Sequence, residues 1–417
     1  MAGTSSNSKG NPAKPIPYTA GKTCLSDILP PLIFGTATFN YQYNNDPHSL
    51  NTTDLVYSAL SQGLRAFDTS PYYGPSEILL GKALVSPEVQ ERFPRETYMI
   101  LTKVGRIKAD EFDYSAQWVR KSIEKSLERL GTDYLDLVYC HDVEFVSPAE
   151  VLEAVCELRR IRDEEKKIRF IGISGYPLEV LSDLAQLILK ETGKPIDAVQ
   201  SYANYTLQNQ RLLSHGLHSL HAAGVAVIPN ASLLGMGLLR RQGVPVGALG
   251  DWHPSTRGLR EAVRKASDFC DQHGEKIETV ALRWALETWI EKGSLCGTEA
   301  DPDPAAKVKW AGVDSCGTQG SAMGVSVIGV SNVEELEDTM MVWRSILDGL
   351  EGGEQRVRET GRWKKEAEWS RLRGAEVRLL AEGVEDVLGE WFGYTWESPE
   401  KGWVNVRKNV EKEKITQ

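Results

Sequence analysis

Along the chain, short apolar runs alternate with stretches whose apolar positions recur every three or four residues. The runs are "PLIFGTATF" (31–39), "LRAFDTS" (64–70), "YMILTKV" (98–104), "LDLVYCHD" (135–142), "IRFIGIS" (168–174), "AVQSY" (198–202), "VAVIPNAS" (225–232) and "GVSVIGV" (324–330). They are short, rich in β-branched residues and nearly continuous in apolar character, as strands buried on both faces must be. Between them "AQWVRKSIEKSLERL" (116–130), "AEVLEAVCELRRIRD" (149–163) and "VEELEDTMMVWRSIL" (333–347) carry helical spacing. Eight strand–helix units predict an α/β fold, a parallel sheet closed into a (β/α)8 TIM barrel. Its active site belongs among the loops at the C-terminal ends of the strands. A doubly wound open sheet is the alternative, disfavoured because no GxGxxG follows the first strand.

Three segments break this rhythm. Residues 1–28 are rich in Gly, Ser, Asn and Pro and predict a flexible N-terminal arm ahead of a barrel spanning 29–350. Residues 293–323 carry turn residues with little periodicity and predict a surface insertion before the eighth strand. Residues 351–417 are charged and tryptophan-bearing, with a helical pattern over 364–391, and predict a partly helical C-terminal extension.

Composition narrows the class. In 417 residues, 41% hydrophobic and 25% charged content are those of an ordinary globular protein, and a net charge of −10 argues against nucleic acid or an anionic membrane as partner. No apolar run has membrane-spanning length, and the N-terminal residues lack a signal-peptide core. The six cysteines are scattered without a CxxC pair, which reads as a reduced set and a cytoplasmic address. No His/carboxylate cluster has ligand spacing, so no metal is expected. A small-molecule substrate and a monomer or weak homo-oligomer are expected.

Titratable residues fall at equivalent strand ends: Asp68 after the second strand with Tyr73 in the loop beyond, Lys103 ending the third, His141 ending the fourth. Singly, each has an ordinary reading as a turn residue, packing group or snorkelling cation. Together they form a proton-exchange set. A phenol of pKa about 10 holds its proton too tightly at neutral pH. An adjacent ammonium favours the phenolate, and a carboxylate holds that ammonium in place. A neutral histidine orients the reacting oxygen. With no nucleophile required, the event at carbon is most simply a hydride transfer to a cofactor.

"FDTSPYYGPSEILLGKAL", "LTKVGR" and "LDLVYCHD" resemble the signature segments of the aldo-keto reductases, (β/α)8 barrels that bind NAD(P)H without a Rossmann domain. The resemblance spans about residues 30–347. It implies Tyr73 as general acid/base, Lys103 tuning it, Asp68 paired with Lys103, and His141 orienting the substrate oxygen. "KVGRIKADEFDYS", "CHDVEF", "GISGYPLEVL" and "DWHPS" resemble the aldose dehydrogenases of the D-arabinose and L-galactose type, leaning toward the fungal D-arabinose type. That implies oxidation of an aldose at C1 to a lactone.

The resemblance also implies a cofactor site. Thr36 is one of its residues, and Ser174 and Gln200 are the expected partners of the nicotinamide carboxamide, Gly175 standing where most members have a carboxamide-holding Asn. Ser232, Leu234 and Gly237 of "ASLLGMGLL" would close over the pyrophosphate, and Gly329, Val330, Glu335 and Asp338 would hold the adenosine end. No arginine or lysine stands there to meet a 2′-phosphate, so NAD is expected over NADP. Phe39, Tyr41, Trp118, Trp252 and His253 are candidate walls of a sugar pocket, since aromatic faces suit sugar rings. The competing readings are a general NAD(P)H-dependent carbonyl reductase and a cofactor-binding regulatory barrel of the kind that accompanies potassium channels.

Overall fold

The apolar runs form eight parallel strands: β1 (Leu32–Gly35), β2 (Ala66–Asp68), β3 (Met99–Val104), β4 (Leu135–His141), β5 (Ile168–Gly175), β6 (Ala198–Tyr202), β7 (Asn230–Ala231) and β8 (Ser326–Gly329). They pair in chain order and close, β1 meeting β8 in register from Leu32↔Ser326 to Gly35↔Gly329, which is the predicted barrel. The computed structural model describes residues 12–247, 249–302, 322–350 and 364–407.

Alternate strand residues fill the interior, where Ile33, Met99, Leu101, Leu137, Tyr139, Phe170 and Val327 form one apolar cluster. Gly172 is required there, because a Cβ on it would collide with the Tyr139 ring. The other strand face packs on the helices. The Ala116–Leu130 helix shows why such segments are helical: Val119, Ile123, Leu127 and Leu130 bury one stripe, Ser115 caps its start, and Gly131 ends it at φ +63°. Near the opposite end of the barrel from the site, buried Asp136 accepts the Ile100 N–H at 2.8 Å. It pairs with Arg95 at 2.7 Å and Arg169 at 2.8 Å, tying β3, β4 and β5 together.

Two of the expected segments differ. Residues 12–28, expected as a flexible arm, are packed: Ile16 N–H bonds Glu96 O at 2.8 Å, Tyr18 meets Phe170 edge-on at 5.9 Å, and buried Leu25 and Ile28 join the barrel's interior cluster. A few apolar side chains anchor a segment whose composition suggested disorder. The described ends of the 293–323 segment are likewise packed rather than an exposed excursion. Thr298 pairs with Met323, its hydroxyl bonds Ser26 O at 2.8 Å, and Cys296 is buried; residues 303–321 lie outside the described residues.

The extension also joins the barrel. Its Lys364–Leu388 helix lies against the Arg257–Gln272, Ile277–Lys292 and Val333–Gly349 helices. Buried Arg283 donates to Ser370 O and Ser370 Oγ, both at 2.9 Å, and Gly383 allows the Phe269 ring to approach. Beyond that helix the chain contacts the loops that follow β3, β4, β5, β6 and β7. Gln208 Nε2 donates to Trp391 O at 2.8 Å, Trp396 stacks on Tyr176 at 4.5 Å, and Asn405 Nδ2 donates to Phe112 O at 2.9 Å.

Candidate active site

Asp68 and His141 are the last residues of β2 and β4, and Lys103 is next to last in β3. Lys103 Nζ donates to Asp68 Oδ1 at 2.6 Å and to Thr69 O at 2.9 Å, both side chains being buried. The turn after β2 bends back through a Tyr73 N–H to Ser70 O bond of 3.1 Å, with Gly74 at φ +55°. This places the Tyr73 ring centroid 5.0 Å from Lys103 Nζ and 5.7 Å from the His141 ring, which stands perpendicular to it at 89°. The structure thus brings all four residues expected to exchange the proton to one end of the barrel.

The resting electrostatics differ from the expectation in one respect. Burial, then the charges of Asp68 and Asp142, push the Tyr73 phenol well above its ordinary range, with Arg106 opposing. Burial also raises Asp68, against the charge and hydrogen bond of Lys103 and a bond from Gln200. Burial lowers His141 to about 3, so the imidazole is neutral at physiological pH.

Several residues at this end were not expected from the sequence. Asp142, at φ +55° directly after β4, bonds the Arg106 guanidinium, which donates to Tyr72 Oη at 3.1 Å and lies 3.8 Å above the Tyr72 ring. Burial acts to raise the Asp142 carboxyl, but the bonded Arg106 guanidinium outweighs it and holds it below the ordinary carboxylate range. Glu144 Oε1 accepts the Tyr176 N–H at 3.1 Å and the Ser398 hydroxyl at 2.9 Å. Its Oε2 is enclosed with no partner among the described residues, and burial, then Asp142, raise the carboxyl to about 8. A Cβ on Gly175 would collide with Oε2, so the missing side chain at 175 makes room for Glu144. The signal lay in "CHDVEF", which places two further carboxylates just beyond His141.

The expected cofactor residues occupy several kinds of position. Thr36 is built into the wall, its hydroxyl donating to Asp68 O at 3.0 Å and lying 2.6 Å from Ser76 Oγ. Ser174 and Gln200 are register partners on β5 and β6. Ser174 Oγ donates to Cys140 O at 3.3 Å, and Gln200 Oε1 is buried with no partner among the described residues. After β7, Ser232, Gly235, Met236 and Gly237 all adopt positive φ (58°, 57°, 56° and 96°), and Leu234 O accepts the Gly237 N–H at 3.1 Å. Such a turn can aim backbone N–H groups at phosphates.

At β8, Val330 O accepts from the Thr38 hydroxyl at 2.7 Å and Gly329 lies against Thr38. Glu335 Oε2 accepts the Ser331 N–H at 2.8 Å while Asn332 caps the following helix, and Asp338 is exposed on that helix. The unpartnered Gln200 oxygen and the positive-φ turn fit a nicotinamide dinucleotide. Ser174, Gln200 and the Ser232–Gly237 turn are the residues that would hold it.

The expected pocket walls divide. Phe39 is fully buried in the core, 6.0 Å from the Phe34 ring, so it is no wall. The ring contacts of Trp118 are with Arg407 at 5.0 Å and Lys121 at 5.3 Å, which makes it a seat for the extension. Both were mistaken because packing aromatics and pocket aromatics look alike in sequence. Tyr41 is half exposed beside Gly74. Trp252 Nε1 donates to Gln42 O at 3.2 Å and its ring meets Tyr43 at 5.3 Å. Buried His253 bonds Gly235 O at 2.9 Å through Nε2, so it props the β7 turn, and its ring faces Trp396 at 5.7 Å.

A family model, that of the aldo/keto reductase family, matches residues 31–348, which takes in all eight strands and the four residues at their ends. The chain belongs to the aldo/keto reductase family. It is 44% identical over 267 residues to a D-arabinose 1-dehydrogenase of Saccharomyces cerevisiae, covering 64% of this chain and 77% of that protein. It is 42% identical over 234 residues to an L-galactose dehydrogenase of Arabidopsis thaliana, covering 55% of this chain and 68% of that one. A solved structure, a glycerol dehydrogenase from Gluconobacter oxydans, superposes with a TM-score of 0.52 at 18% identity over 88% of this chain and 93% of its own, a likeness of fold. As an aldo/keto reductase the protein is an oxidoreductase that works with a nicotinamide cofactor. Among the described residues, no helix is long and apolar enough to cross a membrane and no group of His, Cys, Asp or Glu is placed to hold a metal ion.

Proposed function

We propose that this aldo/keto reductase oxidises an aldose at C1 to the aldonolactone, with NAD preferred over NADP and Tyr73 exchanging the proton. D-arabinose, a related pentose or 6-deoxyhexose, and L-galactose are the substrate candidates, carried by the 44% and 42% identical relatives. The observation that carries the chemistry is the buried Lys103–Asp68 pair beside Tyr73, with neutral His141 perpendicular to the phenol. The C1 hydroxyl sits between Tyr73 Oη and the His141 imidazole. His141 donates to that oxygen and orients it, and Tyr73 takes its proton as C1 becomes a carbonyl. Lys103 is positioned to offset the negative charge that Tyr73 carries as a phenolate. The nicotinamide supplies the hydride-accepting carbon. Because the ring oxygen stays attached, the first product is a lactone. An initial-rate panel of aldoses with NAD+ and NADP+ tests this; absence of turnover on every aldose, with turnover on simple aldehydes, overturns it.

The raised Tyr73 favours a second reading, reduction of an aldehyde or ketone, since a protonated phenol is already the form that donates. The two directions respond differently to pH. Oxidation needs the phenolate, whose fraction grows as pH approaches a phenol pKa above the ordinary value, so kcat/KM for sugar oxidation should still be rising at about pH 9. Reduction needs the phenol, which stays almost fully protonated over the same interval, so its rate should be flat there. A pH–rate profile for oxidation that levels off below about pH 7 would contradict the assignment.

NAD preference rests on charge at β8. Glu335 points its carboxylate to the Ser331 N–H, and no cation stands at Gly329, Val330 or Ser331 to neutralise a 2′-phosphate. NAD+ should be favoured by ~10-fold or more, about 1.4 kcal/mol. Glu335→Arg should raise NADP+ affinity far more than it alters NAD+ affinity. Titration by protein fluorescence checks both, and equal wild-type affinities would sink the assignment.

A further inference from the structure

His141 has two ring nitrogens, and its contacts treat them differently. Nδ1 lies 3.0 Å from Ser70 Oγ, and the same oxygen accepts the Tyr72 N–H at 3.1 Å. Nε2 has the Asp142 Oδ2 carboxylate oxygen on its side at 3.6 Å, and that carboxylate is anchored by Arg106. With His141 neutral, the Asp142 contact is no ion pair; it is an acceptor facing the ring.

We propose that Ser70, assisted by Asp142, fixes His141 as the tautomer protonated on Nε2, so that the nitrogen left for the reacting oxygen is always a donor. The accounting of donors and acceptors decides this. If Nδ1 is bare, the Ser70 hydroxyl donates to it while accepting from Tyr72 N–H, and each of these groups is satisfied. Nε2–H is then left without a hydrogen-bond partner among the described residues, and the Asp142 carboxylate 3.6 Å away favours a hydrogen on that nitrogen. In the other tautomer, Nδ1–H would donate to Ser70 Oγ as a second bond beside that from Tyr72 N–H. The buried Ser70 proton would lose its acceptor, and a bare Nε2 lone pair would face a carboxylate. Both contacts favour the same tautomer, and Ser70 acts only through His141. The Tyr114 hydroxyl donates to His141 O at 2.6 Å and holds the backbone from which the ring projects.

The consequence for the proposed reaction is a donor that opposes Tyr73 across the substrate oxygen; this part rests on the reading above, whereas the tautomer itself is a property of the resting protein. Histidine-selective 15N NMR of the full chain, with the His141 signals assigned by their loss in His141→Gln, reads it without substrate or cofactor. Wild type should show Nε2 protonated and Nδ1 bare, and Ser70→Ala should show a mixture of tautomers. Ser70→Ala should also lower kcat roughly 10-fold with the cofactor Kd unchanged, and Ser70→Thr, which restores the hydroxyl, should restore both readouts. Nδ1–H as the main tautomer in wild type, or an unaltered tautomer in a folded Ser70→Ala, overturns the proposal. Should Ser70→Ala not fold, the wild-type spectrum with Ser70→Thr still decides. A protein inactive on every sugar but with the expected tautomer would refute the proposed substrate and leave Ser70's role standing.

Discussion

Tyr73→Phe is expected to lower turnover by ~10²-fold or more while leaving the fold and cofactor affinity unchanged. The ring sits partly exposed in the turn after β2, and its packing against His141 and Tyr72 involves the ring faces and edges, which phenylalanine keeps. No hydrogen bond from the phenol holds another element among the described residues, so losing the oxygen removes the proposed proton carrier and little else. Far-UV circular dichroism, thermal melting and fluorescence titration with NAD(H) should match wild type. A folded variant with near wild-type turnover would mean that the proton passes through some other group.

Lys103→Met should cost a similar ~10²-fold in turnover, but with a second signature in stability. Lys103 is buried, and its ammonium is the only ion-pair partner described for Asp68. Removing one member of a buried pair costs about 3–5 kcal/mol when the other must stay charged. Asp68 can avoid part of this by protonating, because burial already raises its pKa and Lys103 is the charge that opposes the rise. A carboxyl whose folded pKa is raised above its unfolded value is penalised as pH climbs past the unfolded value. The loss of melting temperature in Lys103→Met should therefore be larger at pH 8 than at pH 5. A pH-independent loss would show that the two residues are not coupled as the structure places them.

Much of the fold is legible in the sequence because buried parallel strands leave a continuous apolar trace. The runs around Phe34, Ile100 and Val138 are short and bounded by polar or turn residues, which favours strands over helices. Strand ends were less legible. The run at 225–232 yields only Asn230–Ala231 as strand, since the chain turns into the positive-φ loop at Ser232. The four residues expected to carry chemistry were legible because Asp68, Lys103 and His141 recur at equivalent strand ends and Tyr73 follows in the next loop. What surrounds them was not. Ser70 reaches His141 across 71 positions, and Ser398 reaches Glu144 across 254, contacts that no local pattern encodes. Phe39 and Trp118 show the reverse failure, where an aromatic in a loop looked like a sugar-facing wall and proved to be packing. The arm at 12–28 was misread because Tyr18, Leu25 and Ile28 are too few to offset the surrounding Gly, Pro and Lys in composition, yet they suffice as anchors.

The most direct measurement of the central claim follows the first product by 13C NMR, using D-[1-13C]arabinose, NAD+ and full-length protein in the first minutes of reaction. The account predicts a lactone C1 signal appearing in step with NADH absorbance and only later giving way to the open-chain aldonate. An aldonate formed from the start without lactone, or reduction of the sugar to a polyol when NADH is supplied with no oxidation in the other direction, would contradict it.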